Sequence, residues 1–402
     1  MNYNVPFEYQ INIAKKSTIR TINNYLKAEV IEALFDCLIK GLTVDANYWA
    51  AELFASGFYL PLWDCIFKFY FQHIHMMNPN LIEYLNQKHI LLSQIKKLYT
   101  NNAKNLYNNQ ELRNHLAEII TLLCLAEKFS HSIPSKINTL NIDNQTYVKT
   151  GQIIQIIAPY LTPQSLLYEQ YQSFIINYYN DLDNCLYYID WFIKDNQHTI
   201  THFEDLKVPI AISQKSMWLI WKFMLIQYKT LKSKHTLNGH HMDKINELLE
   251  LLVNLYISIY KRKDYDACSY LLFFSLKITK SPEILNWSAS IDTTQSLIIK
   301  QCAEINKVYR HLQLSYENKK NNPKSKTSKK SQKEEKSQKF YENQKIIEFL
   351  RLINDFESLQ TGFGFIPQII DSDDDSDEQE EVIPLGPEST LDEKLIDADI
   401  IS

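Results

Sequence analysis

The chain has 402 residues, 45% of them hydrophobic, with only seven glycines and 12 prolines and a formal net charge of −5. This is enough apolar material for two or three cores built from long helices with few turns. Charge is concentrated at the end: Lys319–Lys339 holds nine lysines against two glutamates, a net of +7, and Asp371–Ser402 one lysine against thirteen acids, a net of −12, leaving a neutral body that is a poor footprint for duplex DNA.

In chain order, residues 1–26 read as a lead-in with room for one short helix. MNYNVPFEYQ lacks the basic start and apolar core of a secretory signal. From Ala28 to Leu81 the spacing predicts three short helices with two glycine stops. Ile31, Leu34, Phe35, Leu38 and Ile39 share one helix face, and Gly41 ends it. Asp45 is placed to start a second helix that buries Ala46, Trp49, Ala50 and Leu53 and closes at Gly57. A third carries Leu62, Ile66, Phe69 and Tyr70, and Asn78-Pro79 marks its end. Connections this short lay the helices antiparallel and touching.

Helical patterns follow over Leu81–Tyr99 and Glu111–Lys128, separated by a polar turn at Asn101–Asn109. Residues 130–150, with Pro134, break the pattern, and helical spacing resumes at Gln152 and runs to about Arg310. A short pattern recurs: Asp183-Asn184-Cys185-Leu186-Tyr187 and Asp266-Ala267-Cys268-Ser269-Tyr270 each set an acid ahead of a small residue and a tyrosine. Val44-Asp45-Ala46-Asn47-Tyr48 carries the same small residue and tyrosine. Either these are three related hairpins of a repeat-like body, or they reflect only how commonly helices start with an acid and a small residue.

The central stretch resembles the C-terminal collar of the MgsA/RarA (Werner-helicase-interacting) AAA+ ATPases. The likeness is carried by Ile39-Lys40-Gly41, Asp45-Ala46, Tyr48-Trp49-Ala50-Ala51-Glu52-Leu53, Ser56-Gly57 and Pro61-Leu62. Leu125-Ala126-Glu127-Lys128-Phe129-Ser130 extends it, so that it covers about residues 17–140. In that family the collar supports assembly beside an ATPase module, which this chain lacks, and the resemblance implies a self-associating helical domain and a link to DNA replication or repair. Where the family has paired arginines this chain has Cys65, Ile66 and Phe67 around Lys68, and Gln72-His73 replaces an acidic pair.

The expected organisation is a collar-like helical domain over 1–140 and a second helical region over 141–312. A Lys/Ser-rich disordered linker at 313–339, an isolated amphipathic helix at 340–360 and an acidic disordered tail at 361–402 follow. The fold class is all-α, with antiparallel hairpins in the body.

Few residues point to chemistry. A phosphate loop needs clustered glycines before a lysine, and ahead of Gly362 there are only Gly41, Gly57, Gly151 and Gly239. The expectation is a non-enzyme with no catalytic residue, cofactor or metal. His235, His240 and His241 lie in a polar stretch, and His73 and His75 end the third helix, none with cysteine at zinc-ligand spacing. Asp181/Asp183 and Asp264/Asp266 read as helix caps. Six scattered cysteines read as buried thiols of a reducing compartment, and no window is apolar enough to cross a bilayer, so an intracellular protein without membrane contact is expected.

Two kinds of partner remain. Phe349, Leu350 and Ile353 cluster on one side of the helix at Phe340–Leu359 and call for a protein partner or the body. Ile369 and Ile370, in Ile366-Pro367-Gln368-Ile369-Ile370-Asp371, precede acids and serines as in a SUMO-interacting motif, and Ser372 and Ser376 suit acidophilic kinases. The expected function is therefore a non-enzymatic assembly or adaptor protein that self-associates and recruits a partner through its tail. The alternative is a single-stranded nucleic-acid binder using Trp218, Trp221, Lys222 and the lysine tract.

Overall fold

Two glycines with positive φ shape the first half of the chain. In the computed structural model Gly41 (φ 70°) and Gly57 (φ 75°) close the first two helices. At Gly57 the following amide, Phe58 N–H, returns to Leu53 O at 2.9 Å, and Leu42 N–H does the same to Cys37 O at 2.9 Å. Gly41 is also crowded, since a Cβ there would sit 3.3 Å from Cys124 O.

The structure describes residues 5–12, 17–99, 103–129, 151, 165–195, 198, 200, 215–233 and 239–321. Among them are twelve α-helices and no strand, so the all-α expectation holds. They are α1 (Lys27–Lys40), α2 (Thr43–Ala55), α3 (Tyr59–His73), α4 (Leu81–Leu98), α5 (Ala103–Tyr107) and α6 (Gln110–Leu125). Then come α7 (Leu166–Asn180), α8 (Cys185–Lys194), α9 (Trp218–Ser233), α10 (Gly239–Lys261), α11 (Tyr265–Lys280) and α12 (Ser296–Asn321).

Two helices are sheathed on every side. In α2 every residue from Asp45 to Ala55 is buried, beneath α1, α3, α6 and α12. Ala46, Ala50, Ala51 and Ala55 keep its surface shallow enough for neighbours to approach. In α11 every residue from Ala267 to Thr279 is buried, beneath α3, α8, α9 and α10. A helix apolar all round belongs inside a core. Helix α3 packs against both α2 and α11, and its buried Trp63, Phe67 and Phe69 help join the two surroundings into one apolar core reaching from Ile11 to Leu312.

That continuity corrects the boundary at residue 140. Helix α12, from the far end of the described chain, lies on α6 and α2, while α11 lies on α3, and Met1–Arg351 forms one compact unit. The boundary at 313 also moves, because α12 runs to Asn321. Lys319 there donates to Asn23 O at 2.9 Å and sits 5.0 Å from the Tyr25 ring centre, so the first lysine of the tract is tied to the body. Asn23 in turn donates from its backbone and its amide to the buried Glu52 carboxylate of α2, at 3.0 and 2.8 Å.

Three smaller differences have local causes. Helix α2 begins at Thr43, so Asp45 lies buried inside the first turn and does not cap it. The polar turn at 101–109 contains α5, because Leu106 and Tyr107 reach the core. His240 and His241, expected in a polar loop, lie in the first turn of α10. Of the other expected caps two are present: Asp264 Oδ1 accepts from Ala267 N at 3.2 Å, and Asp181 Oδ1 from Asp183 N at 3.1 Å, while Asp183 and Asp266 pair with Lys277 and Lys68. The helix at Phe340–Leu359, the tail and residues 130–150 lie outside the described residues.

Candidate functional site

A cleft of about 270 Å³ opens between α4 and α10, with α3 beneath. Phe67 contributes from α3, and Asn86, His89 and Ile90 from α4. Leu251, Asn254, Leu255 and Ser258 come from α10, and Arg262 from the turn after it. The apolar members follow from helical spacing. Leu251 and Leu255 stand four apart on one face of α10, and Asn254 and Ser258 stand four apart beside them. Ile90 is 49% exposed at the rim, a large apolar side chain left in water.

The polar members divide into held and available groups. Arg262 Nε pairs with Asp64 Oδ1 at 2.6 Å and its Nη1 donates to Ser258 Oγ at 2.7 Å. The amides of Asn86 and Asn254 make no hydrogen bond among the described residues. His89 lies edge-on to Trp63, ring centres 4.7 Å apart, and to Phe67 at 5.5 Å. Burial, then the nearby charges of Arg262 and Lys96, push its imidazole down to about 4. The ring is neutral at physiological pH, with one nitrogen that donates and one that accepts. An apolar floor with a few convergent polar groups is the usual make-up of a recognition site.

Other polar clusters are occupied by packing. Lys88, half-buried, bridges Glu118 Oε1 at 3.1 Å and His115 Nδ1 at 2.7 Å, and Tyr84 donates to Glu118. Glu118 is pushed up by burial, but hydrogen bonds from His115, Tyr84 and Lys88 prevail and bring it down to about 2. Ser216 donates to Asp195 Oδ2 at 2.7 Å, and His198 Nδ1 lies 3.0 Å from Asp195 Oδ1. Both serine and histidine therefore meet the carboxylate and not each other, which is a staple and not the geometry of an activated nucleophile. Lys68 pairs with Asp266 of α11 at 3.0 Å. Cys65, Ile66 and Phe67 around it are buried.

The structure corrects the nucleic-acid reading of Trp218 and Trp221. They are 0% and 2% exposed, and both rings pack edge-on to Tyr256, at 5.7 and 5.5 Å. Neither offers a face on which a base could stack beside the half-exposed Lys222. Phe349, Leu350, Ile353, Ile369 and Ile370 lie outside the described residues. His73 is buried against Phe35 and Phe69. Among the described residues no three His, Cys, Asp or Glu side chains are grouped to hold a metal ion, and no helix is long and apolar enough to cross a membrane.

Sequence reasoning passed over Asn86, His89, Asn254 and Arg262. Asn86, His89 and Asn254 sit on ordinary amphipathic helices and Arg262 in the turn after one, and only packing brings α4 and α10 to either side of one opening. The available signal was weak: Asn86, His89 and Ile90 put two polar groups and an exposed isoleucine on adjacent positions of α4. Comparison with known proteins finds no matching family model, curated protein or solved structure.

Proposed function

We propose that this chain is a non-enzymatic helical adaptor whose body captures a segment of another protein in the cleft between α4 and α10. The cleft itself carries the reading: an apolar floor of Phe67 and Leu255, a half-exposed Ile90 at the rim, and asparagine amides on both walls. Binding energy at interfaces concentrates in a few side chains seated in such pockets, ringed by groups that exclude water. The polar clusters elsewhere are spent on holding helices together.

The resemblance to the MgsA/RarA collar supports the same class of function and adds self-association. The link to DNA replication or repair rests on that resemblance. Phe349, Leu350, Ile353, Ile369 and Ile370 are retained as a second recruiting element on the strength of their sequence pattern. Six free cysteines, five of them buried, fit a reducing, intracellular compartment.

The test is to pan a display library of random short peptides against the full chain and against Asn254→Trp. Asn254 is exposed, so the indole fills the opening without entering the core. The adaptor reading expects peptides enriched on the wild type that the filled variant does not retain. Equal enrichment on both proteins contradicts it.

A further inference from the structure

The chemistry of the cleft narrows the partner, and this step rests on the adaptor reading. None of its nine lining residues is acidic. Its one permanent cation, Arg262, uses Nε on Asp64 and Nη1 on Ser258. Its Nη2 has no protein acceptor among the described residues, which leaves a charged donor beside the opening. Lys96, its ammonium 4.6 Å from the Tyr59 ring centre on α3, adds a second positive charge that acts on His89. The field at the cleft floor is registered by His89. After burial, Arg262 and Lys96 both disfavour its charged form, even with Asp64 paired to Arg262. A field that opposes an imidazolium favours an anion in the same place.

Size and shape limit the occupant further. At about 270 Å³ the cleft falls below the usual range for cofactors and drug-sized ligands, roughly 300–1,000 Å³, and suits one or two side chains. Phe67 and Leu255 form an apolar seat, while Asn86 and Asn254 stand on opposite walls as donors and acceptors for a peptide backbone. We propose that the cleft recognises a short protein segment that sets an anionic group, a carboxylate or a phosphate, next to a large apolar side chain. The apolar side chain fills the seat over Phe67 and the anion meets Arg262 Nη2. The Asp64 pair holds the guanidinium in place, so little ordering is needed on binding.

The test uses the peptides enriched on the full chain and lost on Asn254→Trp, synthesised and titrated at about 0.1 M salt, where screening acts over ~10 Å. The expected peptides carry Asp or Glu beside Leu, Ile, Phe or Trp. Their affinity should fall about tenfold or more in Asn254→Asp, which sets a like charge against the ligand. It should also fall in Arg262→Gln and with added salt. Because Arg262→Gln strands the half-buried Asp64, the exposed Asn254→Asp decides the matter if that protein does not fold. Replacing the peptide's acid with phosphoserine separates the two sources of the anion: tighter binding assigns a phosphate, weaker binding a carboxylate. Neutral or basic peptides, or affinities that Asn254→Asp leaves unchanged, overturn the anionic partner while the adaptor reading stands. No peptide sensitive to Asn254→Trp overturns both.

Discussion

Arg113 shows how single residues hold this body together. Its fully buried guanidinium donates to Tyr107 O at 2.8 Å, Tyr9 O at 3.1 Å, Asn306 Oδ1 at 2.8 Å and Asn108 Oδ1 at 2.9 Å, and it lies over the Tyr309 ring at 3.9 Å. Burial lowers it to about 10, so it stays charged at neutral pH. One side chain thus ties the lead-in, the start of α6 and α12. Hydrogen bonds from a charged group contribute more than neutral ones, and removing the donor strands buried acceptors. Arg113→Ala should cost about 3 kcal/mol or more in urea unfolding, and Arg113→Lys should recover little, lacking the planar fork. A loss within ~0.5 kcal/mol would mean water replaces the guanidinium.

His89 gives a pH signature. The unfolded side chain titrates near 6.5 and the folded one at about 4. Between those values the unfolded state binds more protons, so stability rises with pH across that window and is lost as pH falls through it. Discounted for partial exposure, the effect is on the order of 1–2 kcal/mol. His73 and His311 shift the same way, so the part due to His89 is the difference from His89→Phe. That variant should keep the contacts with Trp63 and Phe67 and show a shallower loss between pH 6.5 and 4; matching slopes would contradict the burial of His89.

At the scale of elements, α12 is the cover of the first sheathed helix. It packs on α6 and α2 and buries Ile298, Ile305, Val308, Tyr309 and Leu312. A chain ending at residue 295 would expose those apolar surfaces and remove the Asn306 and Tyr309 partners of Arg113. It should aggregate or lose its cooperative thermal transition. A chain ending at residue 321 keeps α12 and should melt as the full chain does. Equal melting of both truncations would show that α12 is dispensable to the core. What the sequence disclosed at this scale followed from local rules. Gly41 and Gly57 were readable as stops because a positive φ is a demand on one residue, and the three helices between residues 27 and 73 were readable from their spacing. The end of α12 was not, because Lys319 looks like the start of a lysine tract until its contacts with Asn23 and Tyr25 are seen. Two tryptophans on an apolar helix already favoured the core for Trp218 and Trp221, but the lysines beside them left a surface reading open until Tyr256 is seen against both rings.

At the scale of the whole molecule, the division into two halves gave way because apolar periodicity says which face of a helix is buried and not against what. The cleft was hidden for the same reason: Asn86 and His89 meet Asn254 and Arg262 only through tertiary packing. Self-association is the expectation that the collar resemblance adds, and light scattering of the full chain should give a mass that is a multiple of 47.4 kDa. A monomeric mass at micromolar concentration would remove the collar comparison and leave the cleft reading standing.

On the proposed reading, the opening between α4 and α10 is where the partner segment docks. Hydrogen exchange of the full chain, with and without a peptide enriched by panning, tests it most directly, because protection can be followed along each helix. Slowed exchange is expected in the segments holding Asn86–Ile90 and Leu251–Arg262, with α6 and α12 unchanged. Protection confined to other helices, with those two segments unaltered, would contradict it.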